Sequence, residues 1–349
     1  MRLYRSLLVA ATLLALLVIG LGAYVRLSDA GLGCPDWPGC YGHWLGVPES
    51  GHEHLAAQAN FPQRPVDTSK AWKEMIHRYC AGTLGLLILA ICLLAWRPAL
   101  RRRQSPILTT VLLGLVGLQA ALGMWTVTLL LKPAIVTLHL LGGMGTLALL
   151  LVLLGREWQA APASAAGPGL RLAARLALLA TVGQIALGGW VSSNYAGLAC
   201  PDLPRCQGQW QPAMDFGHAF AVVRDLGYTA HGQLLNAEAL TAIHWAHRLG
   251  AAVVAASVLA LAVALGAAGE RDRRRWAGLL LGVLGLQIAL GIGNVLLSLP
   301  LPVAVAHTLG AAGLLGVLLT INLRLPAGEP LAAQRSRHGR RAPGLHTPA

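Results

Sequence analysis

The sequence predicts an all-α polytopic membrane protein, with eight transmembrane helices arranged as two parallel pseudo-symmetric four-helix bundles. Three observations predict it: long stretches free of Asp, Glu, Lys and Arg, arginines gathered at alternate ends of those stretches, and motifs that occur twice at a near-constant interval. The 349 residues are 55% hydrophobic and only 12% charged, against roughly 25% charged in soluble domains. A water-facing surface cannot be covered with so few charges.

Several of the uncharged stretches exceed the roughly 20 residues that cross a hydrocarbon core about 30 Å thick. The spans fall at about 6–26, 74–96, 106–129, 133–154, 172–192, 240–265, 276–298 and 302–323. Lipid offers no hydrogen-bond partner, so each span must satisfy its own backbone as a helix. The first is not a cleaved signal: its apolar stretch is too long and "GAYVRL" lacks a small-residue cleavage pattern.

Orientation follows from the arginines. Arg2 and Arg5 precede span 1, and Arg97, Arg101, Arg102 and Arg103 follow span 2. Arg156, Arg171 and Arg175 separate spans 4 and 5, and Arg271, Arg273, Arg274 and Arg275 separate spans 6 and 7. Arg324, Arg335, Arg337, Arg340 and Arg341 lie at and beyond the end of span 8. These 18 of the 27 basic residues share one side, cytoplasmic by the positive-inside rule, as are both termini. The net charge of +13 therefore reflects membrane boundaries and not a nucleic-acid partner. Residues 326–349, rich in Pro, Gly, Ala and Arg, read as a disordered cytoplasmic tail.

The repeat is explicit. "GAYVRLSDAGLGCPDWPGCYGHW" from Gly22 matches "GGWVSSNYAGLACPDLPRCQGQW" from Gly188 at 12 of 23 positions, 166 residues apart. "GLVGLQAALG" from Gly114 returns as "GVLGLQIALG" from Gly282, and "HLLGG" from His139 returns as "HTLGA" from His307, both 168 apart. "HRYCAG" from His77 returns as "HRLGAA" from His247, 170 apart. Two copies of a four-helix unit result, and an even number of helices per copy leaves both in the same orientation. The expected division is 1–155, a cytoplasmic linker at 156–170, 171–325, and the tail.

Cys34 and Cys40 lie between spans 1 and 2, and Cys200 and Cys206 between spans 5 and 6, all on the periplasmic side by the arginine count. Thiols persist as disulfides in that oxidising compartment, which predicts Cys34–Cys40 and Cys200–Cys206. A metal site is the rival, because His43, His52 and His54 follow the first pair; the second copy carries Gln207 and Gln209 and no such cluster. Cys80 and Cys92, inside span 2, read as small apolar side chains.

An intramembrane imidazole is expensive and signals function. His77, His139, His247 and His307 occupy the four even-numbered spans, all in the half of the membrane nearer the cysteine loops. Paired within each copy, they suit axial ligation of haem iron across a bundle. Interhelical hydrogen bonding is the plainer alternative; zinc lacks a third ligand at that depth. The copies differ at one position. "WKEMIHR" places Glu74 three residues before His77, where "AIHWAHR" has His244 before His247. A carboxylate one turn from a haem ligand can take protons or position an oxygen-derived group. The helix macrodipole also favours a carboxylate near a helix start. Arg78 and Arg248 suit haem propionates, packing or a loop contact, and Gln119, Gln184 and Gln287 suit interhelical hydrogen bonds near the pockets.

With these features the chain resembles the haem A synthase family over residues 5–325. The match rests on eight spans in two parallel halves, "GLGCPDWPGC" after span 1, E-x-x-H-R in span 2, and one histidine in each even span. The resemblance implies oxidation of the C8 methyl of haem O to a formyl group, giving haem A for terminal oxidases. It implies substrate haem in the N-terminal half with His77 and His139 as ligands and Glu74 catalytic, and haem b between His247 and His307. It associates Cys34 and Cys40 with redox or structural support of the active half. The implied location is a bacterial inner membrane with periplasmic cysteine loops. A haem O synthase or an oxidase-assembly factor follows as partner from pathway logic alone, and no residue identifies the electron donor. A di-haem electron-transfer cytochrome, which leaves Glu74 and the asymmetry unused, and a haem carrier in cytochrome assembly are the alternatives. Carriers usually present a tryptophan-rich external segment, and beyond Trp37 and Trp44 flanking the first loop this chain has no dense run of that kind.

Overall fold

The computed structural model of the chain describes residues 2–101, 105–157 and 166–325. The tail at 326–349 and most of the predicted linker lie outside the described residues. Within them, eight helices are long and apolar enough to cross a membrane, and no strand occurs. They are α1 Arg2–Leu27, α2 Thr68–Ala95, α3 Pro106–Thr128, α4 Pro133–Glu157, α5 Pro168–Ser193, α6 Ala237–Ala267, α7 Arg271–Leu296 and α8 Leu301–Arg324.

Local chemistry sets their starts. Asp67 accepts a hydrogen bond from the Lys70 amide at 3.0 Å before α2, and Asn236 accepts one from Ala239 at 2.8 Å before α6. Each satisfies an amide that a helix start leaves without a partner. Pro106, Pro133 and Pro168 open α3, α4 and α5, where a missing N–H costs nothing. α2 and α6 begin earlier than hydropathy predicts, because their first turns, "TSKAWKE" and "AEAL", are too polar to be counted as membrane.

α1 to α4 close a ring in which α1 packs on α2, α2 on α3, α3 on α4, and α4 on α1. α5 to α8 repeat that circuit. The two rings meet through α1 on α8, α4 on α5 and α4 on α8. Arg5 donates to the Glu157 carboxylate at 2.8 Å, tying α1 to α4, and Asn322 donates to the Ala174 carbonyl at 3.0 Å, tying α8 to α5. At the opposite rim the rings are joined by Arg26, which donates to the Ser192 carbonyl at 2.6 Å and lies over the Tyr195 ring. Lys132 pairs with Asp225 at 3.1 Å on the same side. The outward faces carry exposed Leu13, Leu86, Leu179 and Val263. Side chains of this kind suit lipid.

The paired turns are built alike. Leu130 and Leu131 between α3 and α4 both have positive φ, as do Ser298 and Leu299 at the equivalent place between α7 and α8. The close agreement of these turns reflects the internal repeat at the level of backbone conformation.

Candidate haem pockets and the disulfide loops above them

Both predicted disulfides are present, with Cα–Cα separations of 4.8 Å for Cys34–Cys40 and 4.6 Å for Cys200–Cys206. Inside each loop an aspartate does the folding. Asp36 accepts from the Tyr41 and Gly42 amides at 2.6 and 2.8 Å, and Asp202 accepts from Gln207 and Gly208 at 2.6 and 2.9 Å. Donation from the Gly208 and Gln207 amides, with Arg248 nearby, holds the Asp202 carboxyl below its ordinary range. The "CPD" of each copy signalled this role in the sequence, where only its repetition was read.

Each loop is pinned to the helix that follows it. Arg78 on α2 donates to the carbonyls of Asp36, Pro38 and Gly39 at 3.0, 3.2 and 2.5 Å. Arg248 on α6 donates to those of Asp202, Arg205 and Cys200 at 2.8, 2.9 and 2.6 Å. These hydrogen bonds are loop contacts, one of the uses the sequence left open for the two arginines. Gly33 sits directly against the backbone of α2, where a Cβ would fall 2.6 Å from the Lys70 carbonyl carbon and oxygen. Backbone cannot yield as a side chain would. Gly33→Ala is therefore expected to destabilise the protein by roughly 1–3 kcal/mol, read as a lower unfolding temperature in detergent. An unchanged transition would show that the loop shifts freely.

Glu74 and His244 occupy equivalent places and share a mechanical task. Glu74 is 5% exposed; its Oε2 accepts from the Cys34 amide at 3.0 Å and its Oε1 from Arg78 at 2.5 Å. His244 Nδ1 accepts from the Cys200 amide at 3.2 Å, and Arg248 Nε lies 3.4 Å from its Nε2. Glu74 is thus well inside α2, and it engages the loop and Arg78 where a helix-start carboxylate would face free amides. His43, His52 and His54 gather no metal site: among the described residues no group of three metal-binding side chains occurs. His54 instead lies 3.1 Å from both Pro48 O and Thr68 Oγ1, and His52 lies 2.9 Å from Ser50 Oγ. Cys80 and Cys92 are free thiols, the second buried.

Beneath the loops runs one cavity of 1510 Å³, lined by His77, His139, His247 and His307 together with Glu74 and His244. A single ligand site usually spans roughly 300–1,000 Å³, so this space suits more than one large ligand. Each histidine rests on a glycine of the preceding helix. A Cβ on Gly22, Gly123, Gly188 or Gly291 would lie 3.1–3.3 Å from Cε1 of His77, His139, His247 or His307 respectively. Glycine therefore lets each ring approach its neighbour helix closely. Nδ1 of His77, of His139 and of His307 is buried without a hydrogen-bond partner. Between His244 and His247, the ring on the glycine seat is that of His247, while His244 is used by the loop.

Eight apolar helices around a cavity lined by four intramembrane imidazoles define a multi-pass membrane protein. Residues 5–319 match the family described as Cytochrome oxidase assembly protein, and the chain belongs to that family. It is 45% identical to a "Heme A synthase" of Shewanella oneidensis over 309 residues, 88% of this chain and 92% of that one. A "Heme A synthase" of Caulobacter sp. (strain K31) is 32% identical over 350 residues, 91% and 94% of the two chains. One of Methylobacterium radiotolerans is 30% identical over 358 residues, 95% and 93%.

Proposed function

We propose that this protein is a haem A synthase, oxidising the C8 methyl group of haem O to a formyl group. The observation that carries the reading is the placement of Glu74 one turn from His77, on the wall of the cavity that His139 enters from the opposite helix. The N-terminal half, 1–155, takes the substrate haem between His77 and His139. The C-terminal half, 171–325, takes haem b between His247 and His307. Buried unpartnered Nδ1 atoms and glycine-seated rings fit such a group in both places.

Haem iron, when bound, would supply the redox chemistry, two successive two-electron oxidations of the methyl carbon that require one oxygen atom from O2 or water and an electron acceptor outside this chain. The chain's own residues orient and protect. The four imidazoles would hold the haem iron, and the disulfide loops, fixed by Arg78 and Arg248, cover the cavity towards water. Glu74 holds or passes a proton at Oε1 or Oε2, with the Arg78 guanidinium balancing the charge that remains. The gathering of arginine at one side supports an orientation with both termini in the cytoplasm of a bacterial cell and the cysteine loops in the periplasm.

Mass spectrometry of haems extracted from membranes that co-produce this protein and a haem O source tests the reading. The expected result is a haem heavier than haem O by the difference between CHO and CH3. Haem O and haem b unchanged, with both retained by the purified protein, would overturn it in favour of a carrier or electron-transfer cytochrome.

A further inference from the structure

The four histidines are not held alike. One helical turn before the glycine seat, α3 carries Gln119, α5 carries Gln184 and α7 carries Gln287. Each glutamine packs across the helix interface onto a glycine three residues past the histidine: Gly142, Gly250 and Gly310. A Cβ at any of those three glycines would land on the glutamine amide. The amides lie close to the rings where the contacts are resolved. Gln184 Nε2 donates to the His247 carbonyl at 2.9 Å and lies 3.0 Å from its Nδ1, and Gln287 Nε2 lies 3.4 Å from His307 Nε2.

The fourth site breaks both sides of this pattern at once. α1 has Val18 at the glutamine position, and α2 has Cys80 at the glycine position. The two differences belong together, because the Cys80 Cβ stands where the other three sites need space for an amide. Val18 offers no polar atom to the ring. Gln119 Nε2, Gln184 Oε1 and Gln287 Oε1 are buried without partners, so each retains an amide atom for an imidazole. Nδ1 of His77, of His139 and of His307 is buried and unpartnered alike, but only His77 has no glutamine on the helix beneath it to turn towards the ring.

An imidazole that binds a metal is normally fixed through its second ring nitrogen, which sets both tautomer and orientation; loss of that partner costs about 10–100-fold in metal affinity. We propose that Gln119, Gln184 and Gln287 are positioning residues that lock three of the four haem-facing imidazoles, and that Val18 and Cys80 leave His77 as the ligand that lets go. This rests on the haem A synthase reading. A substrate haem must enter and its product leave, while a haem that only relays electrons has no need to. His139, with Gln119 on the helix beneath it, keeps the exchanging haem in register while His77 swings clear.

The test uses the full-length protein in detergent, loaded with iron protoporphyrin IX and mixed with excess apomyoglobin as a trap. Haem loss is followed in the Soret band. Wild type is expected to release haem in two phases, one fast and one slow. The double variant V18Q/C80G is expected to slow the fast phase by about tenfold or more. Gln184→Leu and Gln287→Leu, which keep side-chain volume, are each expected to speed the slow phase by about 10–100-fold. C80G alone should leave the fast phase as it is, separating the thiol from the clamp. Two wild-type phases that neither the clamp-adding nor the clamp-removing variants move would overturn the inference and leave the haem A synthase reading standing. A single wild-type phase carrying all the haem would overturn it as well. A wild-type N-terminal half that takes up no haem would overturn both. Should V18Q/C80G fail to fold, the two leucine variants decide the question.

Discussion

Replacing Glu74 by glutamine is expected to lower formyl-haem production by about 10²–10⁴-fold, the usual contribution of a positioned proton-transfer group. Haem binding should survive. Glutamine keeps the volume of the side chain and one oxygen, so it can still accept from either the Cys34 amide or Arg78, the two donors that hold Glu74 now. What it loses is the charge and the exchangeable proton. Extracted haem composition gives the activity, and the visible spectrum of the purified variant gives haem content. Wild-type product with Glu74→Gln would remove the residue from the chemistry. Loss of both product and haem would instead make Glu74 a structural strut for the first cysteine loop.

The second half supplies an internal control for that distinction. His244 does for Cys200 what Glu74 does for Cys34, accepting the amide of the first cysteine in the loop. A neutral acceptor is therefore enough to hold a loop of this shape. A buried carboxylate is the costlier choice, because charge must be taken out of water and balanced by a counter-ion. Holding the loop does not require that cost. The proposed role in chemistry would account for it.

Much of this was legible in the chain. The eight spans could be read because uncharged runs are long, whereas the caps Asp67 and Asn236 lie outside those runs. The histidines stood out because four polar rings recur at matched offsets in apolar text. The arginine roles were not legible. Arg78 reaches carbonyls about 40 residues upstream, and hydrogen bonds to backbone oxygen leave no residue signature in the partner loop. For the same reason the link from Arg26 to Ser192, 166 residues away, could not be anticipated even though the two positions are repeat equivalents. The polar starts of α2 and α6 were missed because hydropathy measures only the part of a helix that lipid covers. Glu74 and His244 were read by their chemical difference alone, and the loop contact they share emerged only when the cysteine loops were seen folded onto the helices.

The largest stability effect is expected at Arg78. Its side chain, 13% exposed, pairs with Glu74, itself almost fully buried, and donates to three loop carbonyls. Arg78→Ala strands the carboxylate, and breaking one side of a buried ion pair costs roughly 3–5 kcal/mol. Arg248→Ala removes the same kind of carbonyl contacts, yet its other neighbour is the imidazole of His244, which can remain uncharged. That loss should be limited to unsatisfied acceptors, roughly 1–3 kcal/mol. Thermal unfolding of the two variants in the same detergent would rank them, with Arg78→Ala the less stable. Adding Glu74→Gln to Arg78→Ala should recover part of the loss, because no charge is then left without a partner. Equal destabilisation by the two alanine variants, with no recovery in the double variant, would mean that the Glu74–Arg78 pair contributes little beyond its loop contacts. Recovery would assign the difference between the two halves to one buried charge, the feature that separates the proposed catalytic site from its repeat.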